Sequence, residues 1–133
     1  LRKLAREKDK SILLATHELD LALQTADKVW LATGNKLKQG IPEDLVLDGS
    51  FDEVFQFKGY DLKTGKVQHE AYRNVSIKLI GDGPVVLWTK NAFERNGFNI
   101  SDDASVIVTV SNDGWNYEKR NFSKLAELVK AIS

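Results

Sequence analysis

The sequence predicts an α/β layer that passes into a small α+β unit. Three observations support this prediction: an uninterrupted apolar run at 12–15, amphipathic helical patterns between short strands up to about residue 50, and alternating strand patterns beyond it. The change of pattern divides the chain into residues 1–50 and residues 51–133.

The first fifty residues show strand and helix patterns in turn. The run at 12–15 is apolar at every position, which is typical of a parallel strand buried on both faces. From Glu18 onward the apolar residues follow helical spacing, with acidic residues in the first turn, where the helix dipole favours them. The predicted elements are a helix over 1–8, the strand at 12–15, a helix from 18, strands at 28–32 and 36–40, and a helix opened by Pro42.

The second part is predicted to consist mostly of strands. In "NVSIKLI" the apolar residues Val75, Ile77 and Leu79 alternate with polar ones, which indicates a strand with one buried face. The predicted elements are a hairpin over 55–72 with its turn at Gly65, strands at 74–80 and 85–88, a helix over 89–96 ended by Gly97, a hairpin over 104–120 with its turn at 112–114, and a helix from Ser123. A ferredoxin-like or small split α/β unit has a similar order of elements.

Composition limits the classes of function. Hydrophobic residues at 42% and charged residues at 29% indicate a soluble globular protein. The formal net charge is zero, so the composition does not indicate binding to nucleic acid or to an anionic membrane. No apolar run could span a bilayer and no signal peptide is evident, so a cytoplasmic protein is expected. With no cysteine, and with His17 and His69 far apart, no metal site is expected.

The sequence opens on Leu1 and contains no methionine, so we expect a fragment whose first helix begins upstream. A strand that is apolar on both faces needs neighbours on both sides. We therefore expect residues 51–133 to form an autonomous unit. Residues 1–50 would fold against that unit, pair with another chain, or fray.

Several motif-like stretches are better explained by ordinary structure. Gly59–Lys66 has five residues between its glycines where a phosphate loop has four, and Val67 stands where that motif needs Ser or Thr. The carboxylate pairs at 43–44 and 102–103 fit a helix first turn and a loop. The basic residues of the first helix are interspersed with acidic ones, which indicates a solvated face. Most aromatic residues of the second part are expected in the core: Trp88, Phe93, Trp115, Tyr117 and Phe122.

His17 is the candidate for chemistry. It follows the apolar run and precedes a helix, which would place it at the carboxyl edge of a sheet, where ligands bind. An imidazole beside a positive helix terminus suits a phosphoryl group. Taken alone, a histidine at the start of a helix is better explained as a structural cap.

The surroundings of His17 resemble the end of the ATP-binding subunit of an ABC transporter. In that family an apolar strand ends in Thr/Ser-His-Asp/Glu, a helix follows, and later come Ala-Asp, a glycine turn and Gly-x-Pro-Glu-Asp-Leu. The corresponding residues occur here in the same order: Thr16-His17-Glu18, Ala26-Asp27, Gly34, and Gly40 with Pro42-Glu43-Asp44-Leu45. The resemblance covers about residues 1–55 and is to importers of iron-siderophores, haem or cobalamin.

The resemblance implies that His17 is the switch histidine, which contacts the γ-phosphate and helps position the attacking water. Asp27, Gly40 and Pro42 would be structural. The phosphate loop, the signature motif and the catalytic glutamate precede the switch histidine in this family and are not in these residues, so the chain alone is expected to be inactive. ATP and Mg are therefore expected only in the intact parent. Its expected partners are permease subunits and a second ATPase copy, at the inner face of the cell membrane.

Another class of function stays open beside this one. Residues 1–50 could be a scaffold and the later aromatic residues could line a pocket, as in a non-enzymatic ligand-sensing or dimerisation module. A pure interaction protein is a third reading. A phosphate-loop motif in the upstream sequence would distinguish the first reading from the others.

Overall fold

The computed structural model describes residues 2–15, 19–33, 35–51 and 71–133. They form a two-stranded ladder with short helices, followed by a five-stranded sheet with two longer helices, and this mixed content confirms the predicted fold class. The elements are α1 (Arg2–Glu7), α2 (Leu19–Thr25), β1 (Val29–Thr33), β2 (Lys36–Gly40), α3 (Pro42–Leu47), β3 (Ser76–Ile80), α4 (Pro84–Arg95), β4 (Asn99–Ile100), β5 (Val106–Ser111), β6 (Gly114–Tyr117), β7 (Arg120–Phe122) and α5 (Leu125–Ile132).

The five-stranded sheet has the order β4-β3-β5-β6-β7. Strand β3 pairs in parallel with both β4 and β5, whereas β5, β6 and β7 form an antiparallel meander. The predicted alternation in β3 is confirmed, since Ile77 is fully buried. The parallel pairs distinguish this sheet from the antiparallel sheet of the ferredoxin-like alternative.

One face of this sheet is covered by α4 and α5 and forms the larger core. Strand residues of alternating position meet apolar residues of both helices there, as expected for a sheet with one buried face. The fully or nearly fully buried members of this core are Ile77, Ala92, Phe93, Phe98, Val108, Val110, Trp115, Phe122, Leu125, Leu128 and Val129. Trp115 also donates a 2.8 Å hydrogen bond from its indole nitrogen to the Thr89 hydroxyl, which fixes β6 against α4.

A second, smaller core lies between the first part of the chain and the N-terminal half of α4. It contains Leu23 of α2, Leu31 of β1, Leu45 of α3, Phe51 and Trp88 of α4. Helix α4 therefore contributes side chains to both cores. The first part of the chain, over its described residues from α2 to 51, folds against the second part.

The strand predicted at 12–15 is wrong. Residues 11–15 have no regular secondary structure, and the Leu13 side chain is 82% exposed. A buried parallel strand needs hydrogen-bonding neighbours and cover on both faces. Among the described residues no strand pairs with this run, so its apolar pattern finds no partner.

The strand predicted at 85–88 is also wrong, because these residues form the first turns of α4. Pro84 occupies the first helical turn, where a missing backbone N–H costs nothing. The buried residues Trp88, Ala92 and Arg95 then follow helical spacing across the whole segment. Burial of this one face overrides the strand preference of the two valines.

The remaining predicted elements divide into confirmed and undescribed ones. The hairpin over 104–120 and the helices and strands between 19 and 47 are confirmed, with β7 as an additional strand. The last helix begins at Leu125, two residues later than expected from Ser123. The predicted hairpin over 55–72 falls largely outside the described residues, as do Gly59–Lys66 and His69.

Gly97 ends α4 in the left-handed conformation that the sequence predicts, with φ at 87°. Its carbonyl accepts hydrogen bonds from the backbone N–H groups of Tyr72 and Arg73 at 3.1 and 3.0 Å. A Cβ atom at this position would come within 2.4 Å of the Tyr72 ring. That ring also lies under the guanidinium of Arg6, 4.2 Å from its centroid, so α1 reaches the same corner.

We predict that Gly97→Ala is more destabilising than Gly49→Ala. Both glycines have positive φ, but a Cβ at Gly49 would meet nothing within 4 Å. Each substitution loses about 1 kcal/mol to backbone strain, and Gly97→Ala adds an overpacking cost of about 1 kcal/mol or more against Tyr72. Urea unfolding of both variants measures the difference, and equal losses would show that the tyrosine moves aside freely.

Candidate functional site

A cluster of charged and amide side chains joins α3 to α4 and α5, and we call it the junction. Its members are Glu43 and Asp44 of α3, and Asn91 and Arg95 of α4. Glu43 is 0% exposed and Arg95 is 1% exposed. Such complete burial of two ionisable side chains requires that they pair with each other.

The ion pair of the junction is bidentate. Nη2 of Arg95 lies 2.9 Å from Oε1 of Glu43, and Nε of Arg95 lies 3.2 Å from Oε2. This arrangement uses the planar fork of the guanidinium, which matches the two oxygens of a carboxylate. Asn91 donates a further hydrogen bond of 2.6 Å to Oε2, so both carboxylate oxygens of Glu43 are engaged.

Two further contacts of the α4 side chains reach α2 and the turn after it. The Asn91 amide lies 3.4 Å from the backbone carbonyl of Leu23, which is one of the last carbonyls of α2. Nη1 of Arg95 lies 3.4 Å from Oδ1 of Asp27, whose side chain is 76% exposed. The last carbonyls of a helix lack partners within it, so the amide supplies a cap from another element.

Asp44 holds a different helix. Its Oδ1 accepts the backbone N–H of Leu125 at 2.7 Å and its Oδ2 accepts that of Ala126 at 3.0 Å. Helix α5 has no side-chain cap of its own at Lys124. Asp44 therefore performs the role of an N-cap residue from 81 positions earlier in the chain. Burial raises the pKa of the Asp44 carboxyl above its ordinary value of 3.8, and the two backbone hydrogen bonds act in the opposite direction.

The local sequence explains why these side chains meet. Pro42 opens α3 at its first turn, so Glu43 and Asp44 occupy that turn and face two different neighbours. In α4 the spacing of Trp88, Ala92 and Arg95 puts the arginine on the buried face of the helix. The junction thus depends on one short motif in the first part of the chain and one helix in the second.

The contacts of the junction hold helices together and are not arranged for catalysis. Its carboxylates already accept hydrogen bonds from fixed donors, so neither Glu43 nor Asp44 is arranged as a general base. Within the residues that the structure describes, no group of three His, Cys, Asp or Glu side chains could hold a metal ion. The same described residues contain no helix long and apolar enough to cross a membrane.

A shallow concavity of about 220 Å³ lies on the uncovered side of the β5–β6–β7 meander. Its open-face lining is neutral and hydrogen-bonding, from Thr109, Ser111, Asn116 and Asn121, and Asp113 is the titratable side chain at its rim. Asn116 already donates to Asn121 at 2.9 Å.

The residues singled out in the sequence are found in different situations. His17, its neighbours Thr16 and Glu18, and Gly34 lie outside the described residues. Gly40 ends β2 and Pro42 opens α3, which agrees with the structural roles expected of them. Asp27 contributes to the junction through Arg95. Residues 102–103 are exposed in a loop, as expected.

Sequence reasoning missed Asn91 and Arg95. One signal for Arg95 exists, because a charged residue stands three positions after Ala92 and seven after Trp88, within the apolar stripe of a helix. A charge in such a stripe indicates a buried partner. Its partner, Glu43, is 52 positions earlier, and the local sequence around Glu43 does not indicate that it pairs with Arg95.

The described fold is thus a mixed sheet with two covering helices, joined through a buried ion pair to a smaller α/β layer. Residues 74–133 match the family model of the iron ABC transporter C-terminal domain. This segment includes the whole five-stranded sheet, α4 and α5.

Among curated proteins, the chain is 37% identical over 59 residues to an uncharacterized ABC transporter ATP-binding protein of Methanocaldococcus jannaschii. The aligned stretch is 44% of this chain and 20% of that protein, so the chain matches about a fifth of the length of this relative. No solved structure gives a significant match. The two matches confirm the resemblance to the C-terminal part of an ABC transporter ATP-binding subunit.

We predict that breaking one side of the buried pair is more harmful than removing both sides. Arg95→Met leaves Glu43 buried without its countercharge and should lower the free energy of unfolding by about 3 kcal/mol or more. Combining it with Glu43→Leu should recover part of that loss, since two apolar side chains need no pairing. Urea unfolding of the two single variants and the double variant gives the coupling.

Lys90 and Glu94 supply the matched control on the same helix. Their ion pair is 3.6 Å long, and the two side chains are 53% and 36% exposed. Removing it by Lys90→Met should change stability by no more than about 0.5 kcal/mol. Equal effects at the exposed and buried pairs would contradict the junction as described.

A pH series tests the cap made by Asp44. Asp44→Asn replaces one accepting oxygen with a donor group and should lower stability by about 1 kcal/mol. Because the pKa of Asp44 is raised in the folded state, the folded protein binds this proton more tightly than the unfolded protein does. Protonated Asp44 therefore stabilises the fold most below pH 3.8, and this contribution is lost as the pH rises through the folded pKa. The difference in free energy of unfolding between the wild type and Asp44→Asn should therefore decrease as the pH rises from 3.8. An increase would show that the pKa of Asp44 is lowered in the folded state and not raised.

Proposed function

We propose that this chain is the C-terminal part of the ATP-binding subunit of an ABC importer, and that the intact protein hydrolyses ATP to drive uptake of an iron-containing or related substrate, such as an iron-siderophore, haem or cobalamin. The observation that carries the proposal is the match of residues 74–133 to the iron ABC transporter C-terminal domain. The motif order around His17 supports it from a separate part of the chain.

In this proposal His17 is the residue of this chain that takes part in hydrolysis. Its side chain contacts the γ-phosphate of ATP in the intact protein and helps to position the attacking water. Phosphoryl transfer depends mostly on positioning and charge stabilisation, so one donor side chain has a large effect on rate. ATP and Mg are assigned to the intact protein, because the phosphate loop that would hold them precedes these residues in the family.

The proposal also defines the expected partners and setting. The ATP-binding subunit acts as a pair of copies and couples to permease subunits, which places it at the inner face of the cell membrane. The residues presented here lack the phosphate loop and catalytic glutamate of the family. They are therefore proposed to have no ATPase activity by themselves.

We predict that His17→Ala in the full-length protein leaves ATP binding near normal and lowers hydrolysis by about a hundredfold, the scale of losing one transition-state donor. ATP binding is preserved because other loops hold the phosphates. The measurements are a calorimetric titration with Mg-ATP and a steady-state phosphate-release assay.

The matched control is His69→Ala, because His69 is the other histidine of this sequence and stands in a predicted polar strand. It should leave both binding and turnover unchanged. If His17→Ala also leaves turnover unchanged, His17 is a structural cap and its proposed role is wrong.

A further inference from the structure

The face of the five-stranded sheet opposite α4 and α5 is covered by no element that the structure describes, and we call it the open face. Side chains alternate across a strand, so the neighbours of the buried core residues point to this face. Ile80 and Ile107 lie there and are 44% and 45% exposed. The centre of the open face continues with Lys78, Thr109, Ser111, Asn116 and Asn121.

The open face carries almost no charge. Charged residues make up 29% of the chain, yet among the open-face positions of the described strands only Lys78 is charged. Depletion of charge distinguishes the core of a protein interface from the rest of a surface. Asp113 adds one carboxylate at the rim of the concavity, in the turn between β5 and β6. Within the described part of the chain, no ion pair involves Lys78 or Asp113.

These two charges lie on opposite sides of Thr109. The register pairs Lys78 with the β5 residue two positions before Thr109, one strand away. It pairs Gly114, the neighbour of Asp113, with the β5 residue two positions after Thr109, one strand away on the other side. With about 3.3 Å per residue and about 4.8 Å between strands, both positions are about 8 Å from Thr109, in opposite directions.

This arrangement is complementary to a second copy of itself. In a two-fold symmetric dimer one patch faces the same patch of the other copy, so that residue i contacts residue j and j contacts i. An axis that lies between two open faces, over Thr109 and perpendicular to the line from Lys78 to Asp113, brings Lys78 of each copy opposite Asp113 of the other. The two charges then form two symmetric ion pairs.

The shape of the open face agrees with this axis. The same rotation places Ile107 of one copy over the concavity of about 220 Å³ beside Asn116 and Asn121 of the other. An exposed apolar side chain of each copy thus meets a hollow of its partner. The strands of the two sheets would cross at roughly 70°, which is close to the orthogonal class of sheet packing.

The size of the open face predicts a weak dimer. Five strands about 4.8 Å apart and about five residues long give a face of about 24 by 16 Å. Two such faces bury on the order of 800 Å², which is less than the roughly 1,200 Å² at which stable complexes begin. We therefore expect a dissociation constant between about 10 μM and about 1 mM.

We propose that the open face is a homodimerisation surface of this chain, on which two copies pack sheet against sheet around Thr109, with Lys78 of each copy opposite Asp113 of the other. The pairing uses strands of the C-terminal unit alone and is independent of the function proposed above.

The first test is a charge-reversal cycle on this chain, with dimerisation measured by sedimentation equilibrium up to about 1 mM protein. Lys78→Glu and Asp113→Lys should each weaken the dimer about tenfold or more, because each replaces two ion pairs by two like-charge contacts. The double variant restores both attractions. Its dissociation constant should therefore return to within about threefold of the wild-type value.

Two matched controls place similar changes elsewhere. Lys90→Glu changes the net charge as Lys78→Glu does, but on α4, which covers the opposite face of the sheet. Leu37→Glu adds a charge to the β1–β2 ladder, at a side chain that is 64% exposed. Both should leave the dissociation constant within about a factor of two of the wild-type value.

The second test locates the axis by cross-linking. The chain contains no cysteine, so Thr109→Cys introduces a single thiol. In packed sheets the two copies of this thiol lie opposite each other, with about 10 Å between the sheets. A short bifunctional maleimide should therefore link Thr109→Cys into a covalent dimer and leave Leu37→Cys monomeric.

A chain that stays monomeric up to about 1 mM overturns the proposal. A dimer that withstands both single reversals, or that Leu37→Glu dissociates, also overturns it, because the interface then lies elsewhere. If both single reversals weaken the dimer and the double variant does not restore it, Lys78 and Asp113 do not face each other and the proposed pairing is wrong. Restoration also excludes misfolding as the cause of the loss, since a second charge reversal does not refold an unfolded chain.

Discussion

The structure depends on the buried ion pair between Glu43 and Arg95. Neither side chain has access to water, and each would be strongly unfavourable at its position without the other. Because one belongs to the first part of the chain and the other to the second, the pair fixes how the two parts pack. The cap of α5 by Asp44 and the cap of α2 by Asn91 both follow from that alignment.

The motif that carries the resemblance in the first part of the chain is thereby given a physical role. In Pro42-Glu43-Asp44-Leu45 the proline opens the helix, Glu43 pairs with Arg95, Asp44 caps α5, and Leu45 enters the small core. All four residues serve the attachment of the sheet and its two helices. The division of the chain near residue 50 stays a prediction, and the contacts described here cross it.

Local patterns were sufficient to predict α2, β3, the β5–β6 hairpin and α5, since each has its own periodicity and turn residues. They failed at 85–88, where burial of one helical face outweighs the strand preference of valine, and at 12–15, where an apolar run has no neighbouring strand among the described residues. The junction could not be predicted, because its partners are separated by 52 and 81 positions and their pairing is decided by tertiary packing.

Native-state hydrogen exchange at low denaturant concentrations tests most directly whether the junction makes one cooperative unit of α3, α4 and α5. The backbone amides of these helices should then open together, with one shared dependence on denaturant, while residues 2–15 exchange faster. If the α3 amides instead exchange through a separate opening of lower free energy while α4 and α5 stay protected, the ion pair does not unite the two parts of the chain.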